Sequence, residues 1–204
     1  MITRASALAL PDWAGRPVHR ELAGWPVIER FDPPEGPCDV GLTDLSHRPK
    51  AIVHGRAVPA LGVSRPGQAV WNGQSLAGCL KAGQATVFDL SGPMEPAVES
   101  DSLTDMTEAW VLLGLWGPRS LDVVQRLVTI DLEPRSIEGP VFFATSSHGL
   151  RIQLANLRRP SPGFLLACAR SHGQNVFEAC LRAGKQFGLK ITGTQAYHDW
   201  LRSA

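Results

Sequence analysis

Apolar and polar positions divide the chain into an irregular first half and a regular second half. The run Ala109-Trp110-Val111-Leu112-Leu113-Gly114-Leu115-Trp116 is an apolar run of strand length. Gly117-Pro118 then opens a helix, because the fixed φ of proline suits a first turn. Leu121, Val124, Leu127 and Val128 recur at three- and four-residue spacing and give that helix one buried stripe, with Pro134 just beyond its end. Strands follow over 140–145, 150–157 and 163–169. A second helix covers about 174–187, with Val176, Phe177, Cys180, Leu181, Gly184 and Phe187 on one face and Gly188 placed to end it. Leu189-Lys190-Ile191-Thr192 resumes a strand before a tail that holds His198-Asp199-Trp200. Strand, helix, two or three strands, helix, strand is the order of a split βαβ unit, an antiparallel sheet carrying two helices on one face.

The first half supplies strands without a convincing helix. Lys50-Ala51-Ile52-Val53-His54 is a short strand stopped by Gly55, and glycines leave room only for short strands at 69–71 and 76–80. Residues 85–90 form a better strand closed by Ser91-Gly92-Pro93. Glu95, Glu99, Asp101, Asp105 and Glu108, with no basic residue among them, read as a solvated acidic connector or a short helix. The predicted class is therefore α+β: antiparallel sheets with helices on one face, in two split-βαβ-like units of which the first is reduced.

Residues 1–37 form a proline- and tryptophan-rich N-terminal arm ahead of a domain spanning 38–204. Pro11, Pro17, Pro26, Pro33, Pro34 and Pro37 forbid long helices and interrupt continuous sheet hydrogen bonding. Trp13, Leu22, Trp25, Val27, Ile28 and Phe31 are too apolar for a disordered tail. The arm must bury them against its own domain or on a partner subunit, where tryptophan is enriched at hot spots.

Composition narrows the function classes. With 204 residues, 44% of them apolar, and 20 Lys plus Arg against 19 Asp plus Glu, the chain is globular and nearly neutral, without the basic footprint that nucleic acid requires. The apolar stretch before Pro11-Asp12 is too short for a signal-peptide core or a membrane span, so a cytoplasmic protein with no membrane contact is expected. Cys38, Cys79, Cys168 and Cys180 are too dispersed for a zinc knuckle or redox pair and read as buried thiols. None of His47, His54, His148 and His172 pairs at helical spacing with a nearby acid, so no metal is expected. Ser146-Ser147-His148 reads as a hairpin turn, since neighbours in a turn rarely meet as nucleophile and base. No glycine-rich fingerprint follows a strand, so neither flavin nor nicotinamide should belong to this chain alone.

Several weak motifs in consistent order resemble one family. The segment Asp44-Leu45-Ser46-His47-Arg48-Pro49-Lys50-Ala51-Ile52-Val53-His54-Gly55 resembles the Asp-Leu-Ser segment of the glycine-cleavage T-protein family. Residues 110–128 are similar to that family's strand, Gly-Pro-x-Ser turn and helix, and Gly163-Phe164-Leu165-Leu166 with the helix beyond it to its Gly-Phe strand and amphipathic helix. The resemblance spans about 40–195 and implies an aminomethyltransferase-type folate-binding fold. Within that superfamily the short length and reduced first half look most like the gamma subunit of heterotetrameric sarcosine oxidase, or the comparable subunit of dimethylamine monooxygenase. That implies a non-catalytic or assisting subunit of an amine N-demethylating complex, with larger flavin- or haem/iron-bearing partners and tetrahydrofolate as the collector of the one-carbon unit. A stand-alone tetrahydrofolate-binding protein is the alternative, and a general maturation factor a third reading.

The departures bear on catalysis. Where full T-proteins carry Tyr-Thr-Gly-Glu, whose glutamate holds the pterin, this chain has Arg159-Pro160-Ser161-Pro162-Gly163-Phe164 without a carboxylate. The stretch 85–93 offers only Asp89 for the family's catalytic aspartate, so aminomethyl transfer by this chain alone is not expected. Arg158, Arg159 and Arg170 flank the Gly163 strand and could pair with the glutamate tail of a folate, unless they are ordinary surface arginines. Phe164 and Trp200 could stack on a pterin, unless they belong to the core.

Overall fold

The computed structural model describes residues 4–90, 102–133, 138–159 and 161–203. Ser91-Gly92-Pro93, most of the acidic connector, Pro134 and Pro160 lie outside them. In chain order the strands are β1 (Arg16–Leu22), β2 (Trp25–Asp32), β3 (Val40–Asp44), β4 (Lys50–His54), β5 (Ala69–Asn72), β6 (Ser75–Lys81), β7 (Gln84–Asp89), β8 (Leu103–Asp105), β9 (Trp110–Trp116), β10 (Val141–Ser147), β11 (Leu150–Asn156), β12 (Gly163–Ala169) and β13 (Leu189–Thr192). The helices are α1 (Ser120–Val124), α2 (Gly173–Gly184) and α3 (Thr194–Ser203).

A six-stranded sheet has the order β10-β11-β12-β9-β3-β13 and is antiparallel except for the parallel pair β13–β3. Period-two alternation along β9 and β12 gives it two different faces. Val111, Leu113, Leu115, Phe164, Leu166 and Cys168 face α1 and α2 in one core. Leu112, Leu165 and Ala167 face the other way, onto Leu76 and Phe88 of a second sheet and Tyr197 and Trp200 of α3. This double burial is why both strands read as unbroken apolar runs. The second sheet, β5-β6-β7-β4-β8, is wholly antiparallel, and its far face closes over Val58 and Leu61 of the 3-10 segment Gly55–Leu61. The two sheets join at one edge, where the Phe142 amide donates to the Gly67 carbonyl at 2.9 Å. The fold is α+β with antiparallel sheets and few helices, and the first half carries strands with only 3-10 turns.

Four local expectations change. The proline-rich arm does form a sheet: β1 and β2 pair as an antiparallel hairpin across Ala23-Gly24, both at positive φ as a tight type I′ turn demands. A two-stranded ribbon has only edges, and proline is tolerated wherever its nitrogen faces away from the partner, which accommodates Pro17 and Pro26. Trp25, Val27 and Phe31 bury within the chain itself, whereas Trp13 is 63% exposed. The tail is a helix, α3, because Tyr197, Trp200 and Leu201 share one face and pack between the sheets. Residues 103–105 of the acidic stretch form β8 on the edge of β4. The helix opened by Gly117-Pro118 has one α-helical turn and continues as looser turns, in which Leu127 and Val128 still reach the core. By contrast α2 ends as its sequence implies, through Lys185–Phe187 and Gly188 at φ 69.

Candidate functional site

The chain crosses from the six-stranded sheet to the five-stranded one through residues 44–50. Leu45, fully buried, fixes the crossing by donating its amide to the Leu112 carbonyl at 2.8 Å. Ser46 Oγ accepts the Leu112 amide at 3.2 Å, and Asp44 Oδ1 accepts the Ser46 amide at 2.9 Å. Lys50 closes the turn from beneath, donating Nζ to the carbonyls of Ser46 and Arg48 at 2.7 Å each. Its side chain has no exposed surface, and burial pulls its pKa down to about 7 against the opposing pull of Asp44 and Asp105.

The two sides of this crossing differ in chemistry. On one side lies a cavity of about 220 Å³ walled by Ser6, Leu8, Trp25, Asp44, His47 and Phe177 among others. Ser6 Oγ donates to Asp44 Oδ2 at 2.5 Å. His47 Nε2 is buried without a partner, and burial, reinforced by Arg48, Lys50 and His198, lowers the imidazole pKa to about 3. The imidazole is therefore neutral. The N-terminal segment is tied across this side: the Arg4 amide and guanidinium donate to the carbonyls of Gly24 and Ala23, and the Ala9 amide to Gln174 Oε1 at 2.8 Å.

On the other side Arg48, 8% exposed, places Nη2 2.6 Å from His198 Nε2. A guanidinium only donates, so His198 must accept there and is neutral. Burial and then Arg48 lower its pKa. Arg48 Nε and the hydroxyl of the fully buried Tyr197 have no hydrogen-bond partner. Burial raises the Tyr197 pKa, opposed by Arg159 and Arg48. Asp89, the one candidate for the family's catalytic aspartate, is 5% exposed and its charge supports the Arg48 cation.

The five residues singled out for folate do not gather in one cleft. Phe164 lies in the core beneath the helices and Trp200 on the opposite face of the same sheet. Trp200 stacks on Trp116 at 5.9 Å and donates Nε1 to Ser161 Oγ at 3.0 Å. Arg159 covers the Trp71 ring at 4.8 Å, and Arg158 follows Leu157 at positive φ. Arg170 sits at the far end of β12, about 20 Å along the strand at its usual rise, over the Trp25 ring and donating to the Ala5 carbonyl. Arg158, Arg159 and Trp200 thus share one end of the molecule, and Arg170 belongs to the cavity end. The five groups as placed do not converge on a single pterin cradle.

Among the described residues no three of His, Cys, Asp and Glu come together to hold a metal ion, and no described helix is long and apolar enough to cross a membrane. Burial raises the pKa of all four thiols, that of Cys168 to about 11 and that of Cys180 to about 12, so they are protonated and unreactive. Ser147 and His148 do meet, with Oγ 3.1 Å from Nδ1, contrary to the expectation for turn neighbours. The small pocket they share with Asn175 and Arg182 holds no carboxylate, and Ser147 is buried, so the hairpin-turn reading stands. Sequence reasoning missed Lys50, Arg48 and Ser6; the only signal was polar residues set inside apolar surroundings at Lys50-Ala51-Ile52-Val53.

No curated protein matches the sequence. A solved structure of heterotetrameric sarcosine oxidase from Corynebacterium sp. U-96, in complex with pyrrole 2-carboxylate, contains a similar fold: TM-score 0.60, 17% identity, over 76% of this chain and 88% of that one. Glycine cleavage system aminomethyltransferase T from Bartonella henselae aligns at TM-score 0.62 and 16% identity, over 92% of this chain but only 58% of its own length. Residues 82–202, more than half of the chain, match the family model described as GCVT N-terminal domain. The chain belongs to the GCVT N-terminal domain family.

Proposed function

We propose that this chain is a small subunit of a multi-subunit amine N-demethylating oxidoreductase of the sarcosine oxidase or dimethylamine monooxygenase type, with a structural or assisting role beside larger flavin- or haem/iron-bearing subunits. The observation that supports it is coverage in both directions: the alignment takes in most of this chain and nearly all of the sarcosine oxidase chain, against little over half of aminomethyltransferase T. Trp13, with Leu181 and Leu189 beside it, offers an apolar surface for a larger subunit. Reduced thiols accord with the cytoplasm.

Tetrahydrofolate enters this reading as the acceptor of the released one-carbon unit, with Arg158, Arg159 and Trp200 as its contacts on this chain at one end of the inter-sheet layer and Arg170 and Phe164 as weaker candidates. The alternative, a stand-alone tetrahydrofolate-binding protein, draws on the 92% coverage by aminomethyltransferase T. Tagging the chain at its chromosomal locus and assaying the eluate for formaldehyde from sarcosine or dimethylamine decides between them. Amine-dependent formaldehyde release, with a flavin or haem/iron spectrum in the same fractions, is expected. A lone, stable monomer that releases none but saturates with tetrahydrofolate would favour the alternative.

A further inference from the structure

The cavity beside the 44–50 crossing has an unusual balance of charge. Asp44 accepts hydrogen bonds from the Ser6 hydroxyl and the Ser46 amide, both neutral donors, and forms no ion pair with a described residue. Lys50, the nearest cation to influence it, spends its ammonium on two backbone carbonyls instead. Among the described residues no lysine or arginine lines the cavity, and Arg170 is turned to the Ala5 carbonyl and the Trp25 ring. The remaining wall carries the imidazoles of His19 and His47 with Ser46 and Thr192, and is otherwise apolar or aromatic, with Leu8, Leu10, Trp25 and Phe177 foremost.

A carboxylate in no direct ion pair with a described residue, at the end of a largely apolar, aromatic-walled cavity, is the arrangement that recognises an organic cation. The volume of about 220 Å³, at roughly 30 Å³ per water-sized group, admits a ligand of about seven heavy atoms. From this we infer that the cavity binds a small alkylated ammonium ion, its charge against Asp44 and its alkyl groups against Leu8, Leu10 and Phe177. A zwitterionic N-methyl amino acid is disfavoured, because its carboxylate would share the cavity with Asp44 and find no described lysine or arginine in the wall to receive it. Thr192 supplies a further polar contact. Thr43 Oγ1 accepts the Trp116 indole N–H at 3.0 Å and stands 2.7 Å from Thr192 Oγ1. This binding is independent of membership in a demethylating complex.

The test is titration of the full chain with dimethylammonium and trimethylammonium chloride at constant ionic strength, read by tryptophan fluorescence and saturation-transfer NMR. N-methylglycine and sodium acetate serve as comparators. Saturable binding of the two cations is expected with a dissociation constant of about 1 mM or lower, and at least tenfold weaker binding of both comparators. Asp44→Asn loses the charge but keeps Oδ1 to accept the Ser46 amide and can donate Nδ2 to Ser6 Oγ in a reversed bond, so it should weaken alkylammonium binding tenfold or more, while Asp105→Asn leaves it unchanged. Should Asp44→Asn fail to fold, Leu8→Phe fills the cavity and is expected to abolish binding. Absence of saturable binding by the wild-type chain, equal binding of acetate, or undiminished binding by the Asp44 and Leu8 variants overturns the inference. A complex that purifies intact but binds no alkylammonium here would sink this site and leave the subunit reading standing.

Discussion

Lys50 carries its ammonium into a site with no solvent exposure, where the Ser46 and Arg48 carbonyls take the place of water. Its folded pKa of about 7 lies below the unfolded value of about 10.4. Between those values the unfolded chain holds a proton that the folded chain has released, so stability rises with pH by about 1.4 kcal/mol per unit and is lost again as pH falls toward 7. Urea denaturation of wild type and Lys50→Met at pH 7 and pH 9 should show the wild type gaining about 2 kcal/mol relative to the variant over that interval; a pH-independent difference would contradict the assignment. Such a residue is hard to read from sequence. Lys50 begins a strand pattern in which a polar end is normally solvated, and the carbonyls that hold it come from a turn whose shape only the tertiary fold fixes. Phe164 and Trp200 show the reverse case: their aromatic character was legible, and the two lie in separate core clusters on opposite faces of the sheet.

At the scale of elements, strands buried on both faces were the most legible. β9 and β12 match their predicted spans to within a residue or so, since apolar contact on both faces decides them. The β1–β2 hairpin was hidden because proline argues against strands in general and only the ribbon's open edges excuse it. α3 was hidden because its apolar residues, Tyr197, Trp200 and Leu201, are few for ten positions. Its seating depends on a missing side chain: a Cβ at Gly163 would stand 2.1 Å from the Trp200 ring. Gly163→Ala must therefore displace Trp200 from β12 and Trp116. Overpacking of this kind costs about 1–3 kcal/mol, to be seen in chemical denaturation together with a loss of near-ultraviolet circular dichroism from the Trp116–Trp200 stack. Unchanged stability would mean that α3 is not seated on that glycine.

For the whole molecule, the pairing of the sheets and the closure of the cavity rest on contacts between distant parts of the chain. Arg170 reaches Ala5, and the Ala9 amide reaches Gln174. No local pattern announces such pairs, whereas the order of strands and helices after residue 108 announced the two-helix, antiparallel layer well. The architecture belongs to the GCVT N-terminal domain family, while the groups named for folate are spread over both faces and both ends of one sheet. Work shared with other chains is what that combination favours. The most direct test is native mass spectrometry of the chain purified, with a chromosomal tag, from its own host. The account predicts one stoichiometric assembly much heavier than 22.0 kDa that includes a flavin- or haem/iron-bearing subunit; a dominant species at the mass of the chain alone would contradict it.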